Sequence, residues 1–572
     1  MNELELYNLW CNCATEDADI VEELKSINGN EDAIKERFYK NLEFGTGGLR
    51  GVIGAGTARL NIYTIRKATQ GLANYLNEHF TNPSVAVSFD SRIKSTTFAK
   101  TACEVLAGNG IKANIYTELM PTPMLSFAVR ELKCQAGIMV TASHNPAKYN
   151  GYKVYGEDGC QLNLTNSEIV INKINQVDIF KDVKHIDFEE GIKQGLISYI
   201  GEDVIENFYK NVIAQGIHVD LVKNSGLKVV YTPLNGTGNK PVRTILNRIG
   251  VNDITVVPEQ ENPDGNFPTC PFPNPEIREA LNLGLKLCET VKPDLLLATD
   301  PDADRVGIAV PNPDGEYVLF SGNEVGALLF EYICKERIAL GTMPKNPVAV
   351  KTIVTTDIVN AIAKEYNVEL RNVLTGFKFI GEQIGLLEAD GQEDRYIFGF
   401  EESYGYLAGS YVRDKDAVVA SMLICDMTSY YRTKGISLYQ ARENLYKKYG
   451  CYHHSQESFQ FEGITGMQKM KDLMAHLREH VPTEIAGLTV TNFEDYIAST
   501  SKDMATGTVT TLTLPKSDVL VFKLTDGASV VIRPSGTEPK IKAYYTTIAE
   551  TQELATNLKN TISDSFKKIL GL

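Results

Sequence analysis

The stretch Ser84–Ser143, SVAVSFDSRIKSTTFAKTACEVLAGNGIKANIYTELMPTPMLSFAVRELKCQAGIMVTAS, decides the fold. It opens on an apolar run, SVAVSFD, long enough for one buried strand. TTFAKTACEVLAGNG follows with helical spacing and closes on Gly. Strand KANIYT, helix PMLSFAVRELK and strand AGIMVTAS complete it. Strand and helix alternating across short Gly/Pro breaks predict a mainly parallel sheet covered by helices.

Outward from this stretch the pattern recurs. LKVVYTPL, NKPVRTILNRIG, ITVVPE and PDLLLATD read as a second round; PVAVKTIV, TTDIVNAIAKEYN and RYIFGFEES read as a third. The pattern repeats while the residues do not. After about residue 455 the order changes to helix GMQKMKDLMAHLREH, strands within LTLPKSDVLVFKL, SVVIRP and IKAYYTT, and a last helix. The expected fold class is α/β: three successive mixed or parallel-sheet α/β domains, then an α+β domain. The expected divisions are 1–205, 206–324, 325–455 and 456–572, with residues 1 to about 40 forming an amphipathic helical extension.

The chain has 572 residues, 43% hydrophobic and 23% charged, a profile that supports several packed cores. No apolar run approaches the ~18 residues of a membrane span. The start, MNELELYNLWCNC, is acidic and lacks a signal-peptide core, so a cytoplasmic protein is expected. The ten cysteines are scattered and read as small buried thiols. A formal net charge of −15 argues against a nucleic-acid partner, for no basic stripe is present to neutralise phosphates. It also means that any anionic ligand must be held by local Arg and Lys.

In open sheets, ligands sit beyond the carboxyl ends of strands. Each α/β segment carries a polar loop there, TASHNP, TDPDADR and GFEESYGY, and the α+β segment carries RPSGTEP. Four loops from four domains could meet in one central cleft. TDPDADR sets Asp300, Asp302 and Asp304 at alternate positions after a buried strand. Carboxylates this close call for a cation. An all-oxygen set suits a hard ion, Mg²⁺ before Ca²⁺ or Zn²⁺. An EF-hand is excluded, since Arg305 and Pro311 stand where Gly and Glu are required. A solvated acidic turn is the competing reading.

RPSGTEP offers Arg533, the hydroxyls of Ser535 and Thr537, and a pliant Gly536: an anion nest, or a plain β-turn. In GFEESYGY, Glu401, Glu402 and Ser403 suit vicinal sugar hydroxyls, a glycosidase acid/base pair, or a surface Glu pair. The run Arg413–Asp416 reads as a solvated charge cluster. FGTGGLRG misses both common phosphate-loop templates, although Arg50 could serve an anion; LNGTGNK reads as a structural turn. Ser143 lacks G-x-S-x-G, and the adjacency of His144 disfavours the usual serine–histidine triad geometry. With Lys153 close by and a metal loop elsewhere, the serine suits a carrier of a phosphoryl group.

Together these motifs resemble the α-D-phosphohexomutase family. FGTGGLRG, TASHNP, DPDADR, TGFKF, GFEESYGY and RPSGTEP occur in its order, from about residue 40 to the end. The resemblance implies four domains around a central cleft. It implies that Ser143 is a phosphoserine and that Asp300, Asp302 and Asp304 hold Mg²⁺ with an oxygen of that phosphate. Glu401 and Ser403 would bind sugar hydroxyls, with Thr375 and Gly376 selecting the sugar. Arg533, Ser535, Gly536 and Thr537 would grip the unreacting phosphate. Arg50, His144, Lys153 and Arg305 fall at active-site positions, and Lys415 matches a lysine near the acid/base chemistry. The implied reaction interconverts glucose 1- and 6-phosphates through glucose 1,6-bisphosphate, which also serves as activator. The double Glu of GFEES and the N-terminal extension resemble the longer, glucose-type branch. Phosphomannomutase or phosphopentomutase activity, and a Mg²⁺-dependent sugar phosphatase, are the alternatives.

Overall fold

The computed structural model describes residues 1–45, 47–461, 466–535 and 540–571. The alternating stretch builds the first sheet. Its strands are β1 (Gly48–Val52), β2 (Ser84–Phe89), β3 (Lys112–Ile115), β4 (Ala136–Val140), β5 (Tyr149–Gly156) and β6 (Ile197–Tyr199), in the order β1-β5-β4-β2-β3-β6. Strands β4, β2, β3 and β6 run parallel, whereas β5 is antiparallel to β4, and β1 is antiparallel to β5. Every residue of β4 is buried, as a strand covered on both faces requires.

The next two sheets follow the same plan. In the second, β7 (Lys228–Thr232), β8 (Asp253–Val256) and β9 (Leu295–Thr299) are parallel, β10 (Val306–Pro311) is antiparallel to β9, and β11 (Tyr317–Phe320) is antiparallel to β10. In the third, β12 (Val348–Thr352), β13 (Glu369–Val373) and β14 (Tyr396–Glu401) are parallel, and β15 (Gly405–Leu407) returns. The last sheet is antiparallel and lies within 451–549: β16 (Cys451–Gln460), β17 (Glu484–Ile485), β18 (Leu488–Asp495), β19 (Thr500–Asp503), β20 (Val509–Thr511), β21 (Leu520–Leu524), β22 (Ser529–Pro534) and β23 (Lys540–Ala549). The fold class is α/β followed by α+β, as expected.

Three local readings are corrected. LTLPKSDVLVFKL is not strand throughout; only Leu520–Leu524 is, because Pro515 and the polar Lys516–Asp518 interrupt the ladder. The second half of FGTGGLRG is itself an edge strand, β1. Cys11 and Cys13 are exposed, on the first of three short N-terminal helices (Glu3–Cys13, Ala18–Ser26, Glu31–Phe38), while the other cysteines are buried. Those helices are docked by a fully buried Trp10, whose ring meets Phe38, Tyr63 and Phe180 edge-on at 5.5–5.8 Å.

Candidate active site

The three α/β sheets present their loops in one common way. Each loop is a tight reversal between the last parallel strand and its antiparallel return: β4 to β5, β9 to β10, and β14 to β15. Near each apex a non-glycine residue takes the left-handed conformation: Ser143 (φ 51°), Ala303 (φ 46°) and Tyr404 (φ 64°). Such residues store roughly 1–2 kcal/mol of strain each and persist only where their surroundings fix them.

Those surroundings include cross-domain contacts. The Ser143 hydroxyl donates to Asp300 Oδ2 at 2.8 Å, and His144 Nδ1 lies 3.2 Å from Ser143 Oγ. Adjacency in sequence therefore does not keep the serine and histidine apart; the left-handed turn swings both side chains to one side. Burial, with the cations Arg305 and Arg50 nearby, holds the His144 pKa well below the ordinary range. Lys153, on β5, reaches Asp302 at 3.0 Å and Asp304 at 3.7 Å. Lys415 reaches the same Asp304 oxygen, Oδ2, at 3.2 Å and Asp414 at 3.1 Å. Both ammonium groups are pushed above the usual lysine value: burial opposes their charge, and the facing aspartates win.

The carboxylates of Asp300, Asp302 and Asp304 are almost fully buried, with oxygens all within 4.8 Å of one another. Burial and mutual repulsion push Asp300 and Asp304 up. Burial works against Asp302 too, but Lys153 pulls it below the usual carboxylate range. The Oδ1 atoms of Asp302 and Asp304 have no hydrogen-bond partner. Orphaned buried oxygens in an all-carboxylate set fit a hard cation. LNGTGNK buttresses this loop, with Thr237 N–H donating to Pro301 O at 2.8 Å.

The third loop is joined to the second where Val306 N–H donates to Tyr404 O. Glu401 is buried and accepts from the Gly376 N–H at 2.8 Å, which ties GFEES to TGFKF. Its pKa is raised by burial. Glu402 is half-buried beside it and is pushed up to about 7 by burial and Glu401. The Thr375 hydroxyl oxygen is buried without a partner, and Ser403 is half-buried next to Glu402. Arg305 pairs with Glu276 at 2.7 Å. Arg50 is exposed on β1 and donates to Asn145 Oδ1 at 3.2 Å.

In the fourth sheet, Arg533 stands opposite Lys542 across β22 and β23. Burial and the neighbouring Arg533 and Lys540 lower the Lys542 pKa, with Glu402 and Glu276 close enough to oppose that shift. This brings the fourth sheet to the edge of the same cleft. Ser535 is described, its N–H donating to Lys540 O at 2.8 Å; Gly536 and Thr537 lie outside the described residues.

The run Arg413–Asp416 is not solvated. Arg413 and Asp416 are 0% exposed and Asp414 is 6% exposed, because each charge has a partner: Arg413 with Glu388, Asp414 with Lys415 and the Tyr155 hydroxyl, and Asp416 with Tyr411 and the N–H groups that it caps. Sequence reasoning missed Tyr155, Asp414, Thr122 (2.9 Å from Asp302 Oδ2), Glu276 and Arg92. Only Arg92 carried a usable signal, since the polar DSR after β2 is itself a strand-end loop.

A metal-competent carboxylate cluster on the second loop, with the Ser143 hydroxyl of the first loop donating to it and the third loop hydrogen-bonded alongside, defines a sugar-phosphate class of site, and sequence comparison agrees. The chain matches the phosphoglucomutase/phosphomannomutase α/β/α domains I (residues 41–179), II (206–315) and III (321–449) and the C-terminal domain (477–565). It belongs to the phosphoglucomutase/phosphomannomutase family, the α-D-phosphohexomutases. It is 38% identical over 527 residues to a phosphoglucomutase of Staphylococcus saprophyticus, covering 91% of this chain and 94% of that protein. It is 39% identical over 513 residues to one of Staphylococcus aureus, covering 89% and 90%. Its fold matches the solved open form of parafusin, a Paramecium phosphoglucomutase, with a TM-score of 0.70 at 17% identity, covering 94% of this chain and 95% of that one.

Proposed function

We propose that this protein interconverts α-D-glucose 1-phosphate and glucose 6-phosphate by way of a phosphoserine at Ser143 and glucose 1,6-bisphosphate. The observation that carries the reading is the Ser143 hydroxyl resting on Asp300 at 2.8 Å, across a domain boundary, with the ammoniums of Lys153 and Lys415 on the same carboxylate cluster. Phosphoryl transfer asks for little more than such positioning and neutralisation. The curated phosphoglucomutases at 38–39% identity support glucose as the sugar.

In the first step the sugar 6-hydroxyl oxygen bonds to phosphorus, the bond from phosphorus to Ser143 Oγ breaks, and the hydroxyl proton leaves the sugar. His144, whose Nδ1 lies 3.2 Å from Ser143 Oγ, and the ammoniums of Lys153 and Lys415 on the carboxylate cluster are the groups placed to handle that proton and to meet the charge on the departing oxygen. The bisphosphate then turns end for end, and its 1-phosphoryl returns to Ser143. Asp300, Asp302 and Asp304 would hold Mg²⁺, which when bound supplies neutralisation of phosphoryl oxygens. Glu401 and Ser403 accept and donate to sugar hydroxyls, with Thr375 and Gly376 beside them. Arg533, Ser535, Gly536 and Thr537 take the unreacting phosphate, while Arg50 and Arg305 serve at the serine and metal loops. No helix among the described residues is long and apolar enough to cross a membrane, and we place the enzyme in the cytoplasm.

The test is conversion of glucose 1-phosphate with Mg²⁺ and glucose 1,6-bisphosphate present, alongside mannose, glucosamine and ribose 1-phosphates. Glucose should be preferred and Ser143→Ala should abolish turnover. Near-normal activity of Ser143→Ala, or inorganic phosphate released faster than isomer forms, would overturn the reading.

A further inference from the structure

We infer that Arg92 is the positioning residue that sets the conformation of the Ser143 loop, and that Phe267 of the second α/β segment clamps it there. Arg92 follows β2, the strand beside β4, and its side chain is 0% exposed. Its guanidinium donates to four carbonyls of one loop. Nη2 reaches Ser143 O and Asn145 O; Nη1 reaches Pro146 O at 3.1 Å and Tyr149 O at 3.0 Å. The backbone at Ser143 is left-handed, a conformation that L-residues rarely hold unaided. Its carbonyl faces inward, so the guanidinium satisfies a buried acceptor and fixes the turn together.

Asp90 completes the clamp. Its carboxylate lies 3.4 Å from Arg92 Nε and accepts from the Thr141 hydroxyl at 2.6 Å, and Thr141 Oγ1 in turn accepts from the Ser143 N–H at 2.8 Å. On the outer face the Phe267 ring covers the guanidinium, with its centroid 5.1 Å from Cζ, and Gly265 forms a bridge with Arg92. The same arginine thus reads the serine loop on one side and the neighbouring domain on the other. A planar fork with five N–H donors can serve four carbonyls; an ammonium with three cannot. Arg92 acts on the reaction only through Ser143.

The inference rests on the proposed role of Ser143, so its experiment has one readout that needs no activity. Hydrogen exchange of the full chain should show faster exchange across residues 141–150 in Arg92→Gln, with β2 and β4 as protected as before. Arg92→Lys should fall between. Kinetically, kcat for glucose 1-phosphate should drop about 100-fold in Arg92→Gln, as expected for a reactive group misplaced by about 1 Å, with KM nearly unchanged and partial recovery in Arg92→Lys. Phe267→Leu, which keeps the apolar volume, should give the same loop-confined exchange change at smaller size and stands in if Arg92→Gln does not fold. Unchanged loop protection in these variants, or a raised KM at constant kcat, would overturn the inference. Faster loop exchange in a protein whose wild type isomerises nothing would sink the proposed function and leave the positioning role standing.

Discussion

Gly405→Ala tests whether the lysine at the carboxylate cluster is placed by packing. Gly405 sits on β15 opposite Glu401. A Cβ there would lie 2.1 Å from Lys415 Cδ and 2.6 Å from its Cγ. Non-bonded carbons rest about 3.5–4.0 Å apart, so the lysine stem must retreat by about 1.4 Å or more. Its side chain is only 11% exposed and has little room to yield. A retreat of that size takes the ammonium from 3.2 Å beyond ion-pair reach of Asp304. Overpacking of this kind costs about 1–3 kcal/mol of stability. Misplacing a reacting group by about 1 Å lowers the rate roughly 100-fold. The control is the same substitution at Gly385, inside the helix Phe377–Ala389, where a Cβ meets nothing within 4 Å. That change should add about 0.5–1 kcal/mol and leave kinetics alone. Both variants would be measured by coupled formation of glucose 6-phosphate and by urea titration. A folded Gly405→Ala enzyme with wild-type kcat would refute the packing argument.

Tyr155→Phe removes a buried 2.7 Å hydrogen bond to Asp414; it should lose about 1.5–3 kcal/mol in a denaturant titration and lower kcat by loosening the Asp414–Lys415 pair. Glu457 is held at about 2: burial opposes its charge, but hydrogen bonds from Lys559, Lys567 and Ser563 prevail. Its folded pKa is below its unfolded one, so this stability is present above about pH 4.5 and lost as pH falls toward 2. Melting curves across that window should therefore flatten in Glu457→Gln. Chelation with EDTA should abolish turnover and Mg²⁺ should restore it, while Asp302→Asn should stay inactive at any Mg²⁺ concentration tested.

The α/β sheets were legible through central strands such as β4, β9, β12 and β14, which are buried on both faces and read as apolar runs between Gly and Pro breaks. The loops were legible because polar residues such as Asp300, Asp302 and Asp304 stand directly after such runs. What could not be read was how each loop turns. Ser143, Ala303 and Tyr404 share no residue type, yet all three occupy left-handed positions near equivalent reversals. The common hairpin is thus a property of the backbone and leaves no sequence repeat. Partners from distant segments were equally hidden. The charge pattern of Arg413–Asp416 is that of a solvated run, and partners such as Glu388, Tyr155, Asp304 and Tyr411, which no local pattern announces, offset the cost of burying it.

The same partners resolve how a chain of net charge −15 can present cations to an anion. Lys153, Lys415 and Arg305 form no loose basic patch; each is already held by Asp302, Asp304, Asp414 or Glu276 at 2.7–3.2 Å. Such pairing weakens the long-range pull on a phosphate but fixes each ammonium or guanidinium before the substrate arrives. Catalysis gains from dipoles and charges that need not reorganise during reaction. The proposed reaction, which visits both ends of one sugar, depends on that more than on steering, because each end must meet the same prearranged charges. The acidic residues of the cleft are therefore the frame that keeps its cations in register with Ser143.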